Sequence, residues 1–126
     1  MKKILVVDDE PDIVEMIKVA LESASYQVIT AFNGNECLEK VKKEKPDAIV
    51  LDIMMPEKDG FVTCKELKGD PETQEIPVLI LTAVGEHFSN SRYAKSMGLE
   101  LEAEDYIDKP VNPPLLLGRL AKLIKS

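Results

Sequence analysis

The chain has 126 residues, 44% of them hydrophobic, with a net charge of −7 and an isoelectric point of about 4.8. This length suits a single core, so we expect residues 1–126 to form one domain with no output domain. The acidic balance argues against direct binding to nucleic acid or to an anionic membrane, because both need clustered Lys and Arg. No apolar run is long enough for a signal peptide or a membrane span, which predicts a cytoplasmic protein.

Short apolar runs alternate with stretches of helical periodicity along the chain. The predicted strands cover residues 4–7, 27–31, 48–52, 76–83 and 105–109. The predicted helices cover residues 11–23, 36–43, 61–68, 91–97 and a last segment after residue 112. Five strand–helix units predict an α/β fold of the (βα)5 type, a doubly wound five-stranded parallel sheet with right-handed crossovers.

Individual residue types refine these elements. Asn33-Gly34 is interpreted as a break before the second helix, and Asn112 is expected to cap the last one. Gly60 ends a turn and is able to adopt a positive φ there. Cys37 and Cys64 lie in separate helices without CxxC spacing, which predicts buried free thiols.

Polar side chains follow four of the five predicted strands. Asp8 and Asp9 follow the first strand, Asp52 ends the third, Thr82 ends the fourth and Lys109 follows the fifth. Because the carboxyl ends of parallel strands meet at one crevice, we expect these groups to converge there. Three carboxylates repel one another unless a cation lies among them, and Mg²⁺ suits carboxylates and phosphate oxygens. A Lys and a hydroxyl suit a transferring phosphoryl group, with Asp52 as the nucleophile that forms an aspartyl phosphate.

Other interpretations of these residues stay open. Asp8 and Asp9 are also compatible with a plain helix N-terminus, and Asp52 with Lys109 is compatible with a structural ion pair. A flavin- or nucleotide-binding flavodoxin-like protein would need a phosphate loop after the first strand, where the acidic residues would repel it. A phosphatase of the haloacid dehalogenase type would need a second Asp at position 54, where this chain has Met54.

Four motifs, in this order, resemble the receiver domain of two-component response regulators, and chemotaxis-type single-domain regulators in particular. They are Val6-Val7-Asp8-Asp9-Glu10, Leu51-Asp52-Ile53-Met54-Met55-Pro56 with Asp59-Gly60, Leu81-Thr82-Ala83, and Tyr106-Ile107-Asp108-Lys109-Pro110. The resemblance covers nearly the whole chain and implies a flavodoxin-like sheet with strand order 2-1-3-4-5. Between Thr82 and Lys109 the chain is longer than is usual in this family, and residues 98–104 hold the extra length.

The resemblance also implies roles for individual residues. Asp52 would be the phosphoacceptor, and Mg²⁺, with Mn²⁺ as an alternative, would be bound by Asp9, Asp52 and the backbone carbonyl of Met54. Asp8 would act on the metal mainly through water. Lys109 would pair with the phosphoryl oxygens.

A second group of residues would report phosphorylation. Thr82 and Tyr106 would be the switch pair, with Ala83 leaving room for their movement, and the peptide bond between Lys109 and Pro110 would be cis. These movements would alter the face formed by the fourth helix, the fifth strand and the fifth helix.

The partners implied are a sensor histidine kinase or phosphotransfer protein as phosphoryl donor, and a downstream protein or a second copy of the chain as receiver. The expected chemistry is weak, Mg²⁺-dependent self-phosphorylation from small donors and self-dephosphorylation, and the chain is not expected to be a dedicated metabolic enzyme. The alternative is a receiver-fold interaction module that works without phosphorylation.

Overall fold

The computed structural model describes residues 1–53, 60–82 and 103–124, apart from the side chains of Phe61, Thr82 and Asp108. The predicted helix at residues 91–97, most of the lengthened segment, Met54 and Ala83 lie outside the described residues. Among the described helices, none has the length and apolar character needed to cross a bilayer.

The described strands form one parallel sheet in the order β2-β1-β3-β4-β5, which confirms the predicted topology. Their bounds are β1 (Lys3–Val7), β2 (Gln27–Ala31), β3 (Ala48–Asp52), β4 (Val78–Thr82) and β5 (Asp105–Asp108). Every residue of β3, and every residue of β1 after Lys3, is buried. Continuous apolar strands form here because helices cover both faces of a parallel sheet.

The described helices are α1 (Pro11–Ser23), α2 (Gly34–Glu44), α3 (Gly60–Gly69) and a C-terminal helix (Pro113–Ile124). One core layer packs α2 and α3 on the sheet, and the other packs α1 and the C-terminal helix on the opposite face. With both faces covered, polar chemistry in the described chain is left to the ends of the strands.

Two helix starts depend on asparagine caps. Asn112 Oδ1 accepts a hydrogen bond from Leu115 N at 3.1 Å, which confirms the predicted cap. At α2, Asn33 Oδ1 accepts from Glu36 N at 2.9 Å, and Glu36 Oε1 accepts from Phe32 N at 3.1 Å. The predicted break between β2 and α2 therefore lies at Phe32 and Asn33. Gly34 is the first helical residue, so α2 starts two residues earlier than the predicted start at Glu36.

Candidate functional site

The candidate site lies at the carboxyl end of the sheet, where the two central strands end side by side. Val7 pairs with Leu51, so the next residues, Asp8 and Asp52, follow at the same edge. Both are inside the protein, with Asp8 0% and Asp52 1% exposed. Lys109 reaches the same place from the end of β5. The structure therefore brings together three side chains that the sequence places 44 and 57 residues apart.

Lys109 is the cation of this site. Its Nζ lies 2.9 Å from Asp8 Oδ2, 3.5 Å from Asp52 Oδ1 and 3.8 Å from Glu10 Oε1. Burial by itself lowers the pKa of Lys109, but the contact with Asp8 and the negative charges of Asp52 and Glu10 outweigh it and raise the pKa. The ammonium group is therefore charged at neutral pH, when it faces three carboxylates.

Asp8 uses both of its carboxylate oxygens within the described chain. Its Oδ1 accepts a hydrogen bond from Glu10 N at 3.0 Å. Its buried Oδ2 lies 2.9 Å from the ammonium of Lys109 and forms an ion pair with it. Asp8 thus shares this one ammonium with Asp52 and Glu10, which leaves negative charge in excess at the site.

The carboxylates of Asp8, Asp9 and Glu10 provide oxygen atoms within 4.8 Å of one another. Oxygen ligands of this kind suit a hard divalent cation such as Mg²⁺, so the donor set fits the predicted metal. Asp52 is not a member of this three-carboxylate group in the described chain, and its Oδ1 lies beside Lys109 instead. Met54, the fourth predicted ligand, lies outside the described residues.

Glu10 is the site residue that the sequence did not single out, although it belongs to the first motif. Its side chain is largely exposed, and its carboxylate belongs to the site through its distance from Lys109 and from the carboxylates of Asp8 and Asp9. Its position directly after two acidic residues at a strand end was the one available signal.

Gly60 places the helix that follows Asp52. Its N–H donates to Ile53 O at 2.9 Å. A Cβ built on Gly60 would overlap the carbonyl oxygen of Asp52 and lie 2.5 Å from Ile53 Cα. Its φ is not in the left-handed region, so the positive φ that glycine allows is not adopted here. Glycine is needed because the first residue of α3 packs directly on the backbone that carries the candidate nucleophile.

The predicted switch residues are only partly described. Thr82 is the last residue of β4, and its side chain and Ala83 lie outside the described parts. Tyr106 lies in β5 and packs, half-buried, against the core layer of α2 and α3. Burial, followed by the proximity of Cys64 and Glu104, raises the pKa of Tyr106. The peptide bond between Lys109 and Pro110 is cis.

Comparison with known proteins agrees with the observed fold. Residues 4–121 match the family model described as the response regulator receiver domain. The alkaline phosphatase synthesis transcriptional regulatory protein PhoP of Bacillus subtilis is 45% identical over 124 residues, which are 98% of this chain and 49% of PhoP. The chain thus spans about half the length of this curated relative.

Two solved structures share the fold over almost their full length. The chemotaxis response regulator CheY4 of Vibrio cholerae has a TM-score of 0.84 and 32% identity, over 98% of both chains. The response regulator TrrA of Thermotoga maritima, crystallised with Mg²⁺ and beryllofluoride, has a TM-score of 0.81 and 35% identity, over 98% of this chain and 99% of TrrA. The chain therefore belongs to the response regulator receiver domain family.

Proposed function

We propose that this protein is a phosphorylation-controlled switch that accepts a phosphoryl group on Asp52 from a phosphohistidine of a sensor kinase or phosphotransfer protein. The observation that carries the proposal is the shared Lys109 ammonium, 2.9 Å from Asp8 and 3.5 Å from Asp52, at the end of the central strands. A structural ion pair would need one carboxylate, whereas this lysine faces an excess of negative charge. Such an arrangement is typical of a site that binds a charged ligand.

In the proposed transfer, a carboxylate oxygen of Asp52 attacks phosphorus and the phosphorus–nitrogen bond of the donor breaks. The bonding electrons go to the imidazole nitrogen, and an acyl phosphate forms on Asp52. Lys109 is close enough to pair with the new phosphoryl oxygens and would neutralise part of their charge.

Asp8, Asp9 and Asp52, with the backbone carbonyl of Met54, are the residues proposed to hold Mg²⁺ or, alternatively, Mn²⁺. The grouped carboxylate oxygens of Asp8, Asp9 and Glu10 support a cation at this place, as does the binding of Mg²⁺ and beryllofluoride by TrrA. When bound, the cation supplies positive charge that balances the carboxylates and the phosphoryl oxygens.

The proposed output is a change at Thr82, Ala83 and Tyr106 that alters the face around β5 and the C-terminal helix. A protein partner or a second copy of the chain would read this face. The half-buried position of Tyr106 beside the core supports the proposal, because an aromatic ring at such a boundary has both an inner and an outer environment available.

Intact-mass spectrometry tests the phosphoacceptor directly. The protein is incubated with acetyl phosphate and Mg²⁺, and we expect the mass of one phosphoryl group to be added, and this addition to disappear with EDTA. Asp52→Asn should gain no mass. Asp47→Asn is the matched control, because this exposed carboxylate lies just before the other end of the same strand and should leave phosphorylation intact.

The same protein samples distinguish the proposed switch from an interaction module that works without phosphorylation. Beryllofluoride with Mg²⁺ should shift the NMR signals of Tyr106 in the wild type and leave them unchanged in Asp52→Asn. Full phosphorylation of Asp52→Asn, or no response of the wild type to either reagent, would contradict the proposed function.

A further inference from the structure

A buried lysine, Lys68 in the last turn of α3, lies at the opposite end of the sheet from Lys109. Its side chain is only 6% exposed. Its Nζ donates to Gln74 O at 3.1 Å, to Ile76 O at 2.9 Å and to Glu104 Oε2 at 2.9 Å. An ammonium group has three donors, and all three are used here. Lys68 thereby ties α3 to the loop before β4 and to the segment before β5.

Glu104 is held through both carboxylate oxygens and its own N–H, although its side chain is partly exposed. Its Oε2 accepts from Lys68, its Oε1 accepts from Val78 N at 2.7 Å, and its own N–H donates to Val78 O at 2.9 Å. These contacts fix the residue that directly precedes β5 against both α3 and the first residue of β4. We call this arrangement of Lys68, Glu104 and Val78 the α3–β5 clamp.

The clamp lies next to Tyr106. Glu104 is two residues before it, and Tyr106 packs against the core layer that contains Cys64 of α3. Cys64 and Lys68 are four residues apart in α3, so they lie on the same face of the helix. One face of α3 therefore contributes to the layer that Tyr106 packs against and also holds the start of its strand.

The other end of α3 rests on the candidate phosphorylation site. Gly60, its first residue, packs on the backbone of Asp52 and Ile53 without room for a Cβ. Helix α3 thus extends from the backbone at Asp52 to the clamp.

We propose that Lys68 and Glu104 are positioning residues for Tyr106: they fix the start of β5 to α3, so that the ring moves relative to a stationary strand. The inference rests on the switch role of Tyr106 in the proposed function. It adds a second connection between Asp52 and Tyr106, which runs through α3 and does not use Thr82.

NMR of the full chain with a labelled tyrosine ring tests the clamp. The variants are Lys68→Met and the milder Glu104→Gln, which removes the charge that faces Lys68 and keeps the side-chain length. Lys65→Met is the matched control, since Lys65 is exposed on the same helix. Spectra are recorded without ligand and then with Mg²⁺ and beryllofluoride.

Without ligand, both variants should shift the Tyr106 ring signals, and Lys65→Met should leave them in place. With beryllofluoride, binding should persist while the ligand-induced shift of Tyr106 falls by about half, as expected when a coupling contact is lost. Wild-type Tyr106 signals in both clamp variants, with and without ligand, would overturn the inference. If wild-type Tyr106 does not respond to beryllofluoride, the proposed function fails, while the ligand-free spectra still decide whether the clamp positions the ring.

Discussion

Lys68 is buried and Lys109 is partly buried, and Lys109 lies at the carboxyl end of the sheet whereas Lys68 lies at the amino end. Lys68 donates to two carbonyl oxygens and one carboxylate, so its single charge has a single counter-charge. Lys109 faces the carboxylates of Asp8, Asp52 and Glu10 within 3.8 Å. The amino end is satisfied by the described chain itself, and the carboxyl end is not.

We therefore expect Lys68 to contribute to stability and Lys109 to contribute to function. A buried charge with all its hydrogen bonds made stabilises one conformation, whereas carboxylates in excess of their cation repel one another until a ligand arrives. Removing one carboxylate charge should therefore change stability in opposite directions at the two ends.

The largest effect should come from Gly60→Ala at the carboxyl end. The added Cβ would overlap the carbonyl oxygen of Asp52, so the start of α3 or the end of β3 must move. We expect the free energy of unfolding to fall by about 3 kcal/mol, measured by urea denaturation. Phosphorylation by acetyl phosphate should also slow, because Asp52 is displaced.

The control for Gly60→Ala is Gly118→Ala in the C-terminal helix. A Cβ at Gly118 would meet no atom within 4 Å, so this variant should stabilise the protein by roughly 0.5–1 kcal/mol through helix propensity. Equal effects of the two substitutions would contradict the close approach at Gly60.

At the amino end, Lys68→Met should lower the free energy of unfolding by about 2 kcal/mol. The methionine fills a similar volume but leaves the carbonyl oxygens of Gln74 and Ile76 and the carboxylate of Glu104 without their donor. Urea denaturation measures the change, and Lys65→Met should stay within about 0.5 kcal/mol of the wild type. If Lys68→Met were as stable as this control, the lysine would contribute nothing to the amino end.

The thiol of Cys37 reports whether water reaches the core layer that packs α2 and α3 on the sheet. Burial, with a smaller effect of Cys64, raises its pKa from 9.0 to about 12. Above pH 9.0 the unfolded chain loses this proton while the folded protein keeps it, so stability falls as the pH rises towards about 12. Between roughly pH 8 and pH 10 the loss should be about 1 kcal/mol. Cys37→Ala should show a weaker dependence over that range, and an unchanged dependence would mean that the thiol is accessible to water.

The sequence predicted the sheet and part of the candidate site because both depend on local patterns. Continuous apolar runs identified β1 and β3, and strand ends placed Asp8, Asp52 and Lys109 at one edge. The contact between Glu10 and Lys109 was not predictable in this way, since it depends on where an exposed side chain points in three dimensions.

The α3–β5 clamp was not predicted from the sequence, for a related reason. Lys68 and Glu104 are 36 residues apart, and neither lies in a pattern that marks it as buried or paired. The need for glycine at position 60 was also not visible locally, because the atoms that leave no room for a side chain belong to Asp52 and Ile53, at the end of β3. Local signals thus predicted the elements and their ends, and contacts between distant elements required the structure.

The smallest expected change in the free energy of unfolding comes from removing one carboxylate charge at each end of the sheet. Without a divalent cation, Asp52→Asn should raise the free energy of unfolding by about 1 kcal/mol, because it leaves Asp8 and Lys109 as a balanced pair. Glu104→Gln should lower it, because Lys68 loses its only carboxylate partner in the described chain. Urea denaturation in EDTA measures both values.

Adding Mg²⁺ should then stabilise the wild type more than Asp52→Asn, because in the wild type the cation offsets the excess negative charge that the asparagine has already removed. A change of the same sign at both ends would mean that the carboxyl end is balanced without a ligand, and the contrast between the two lysines would not hold.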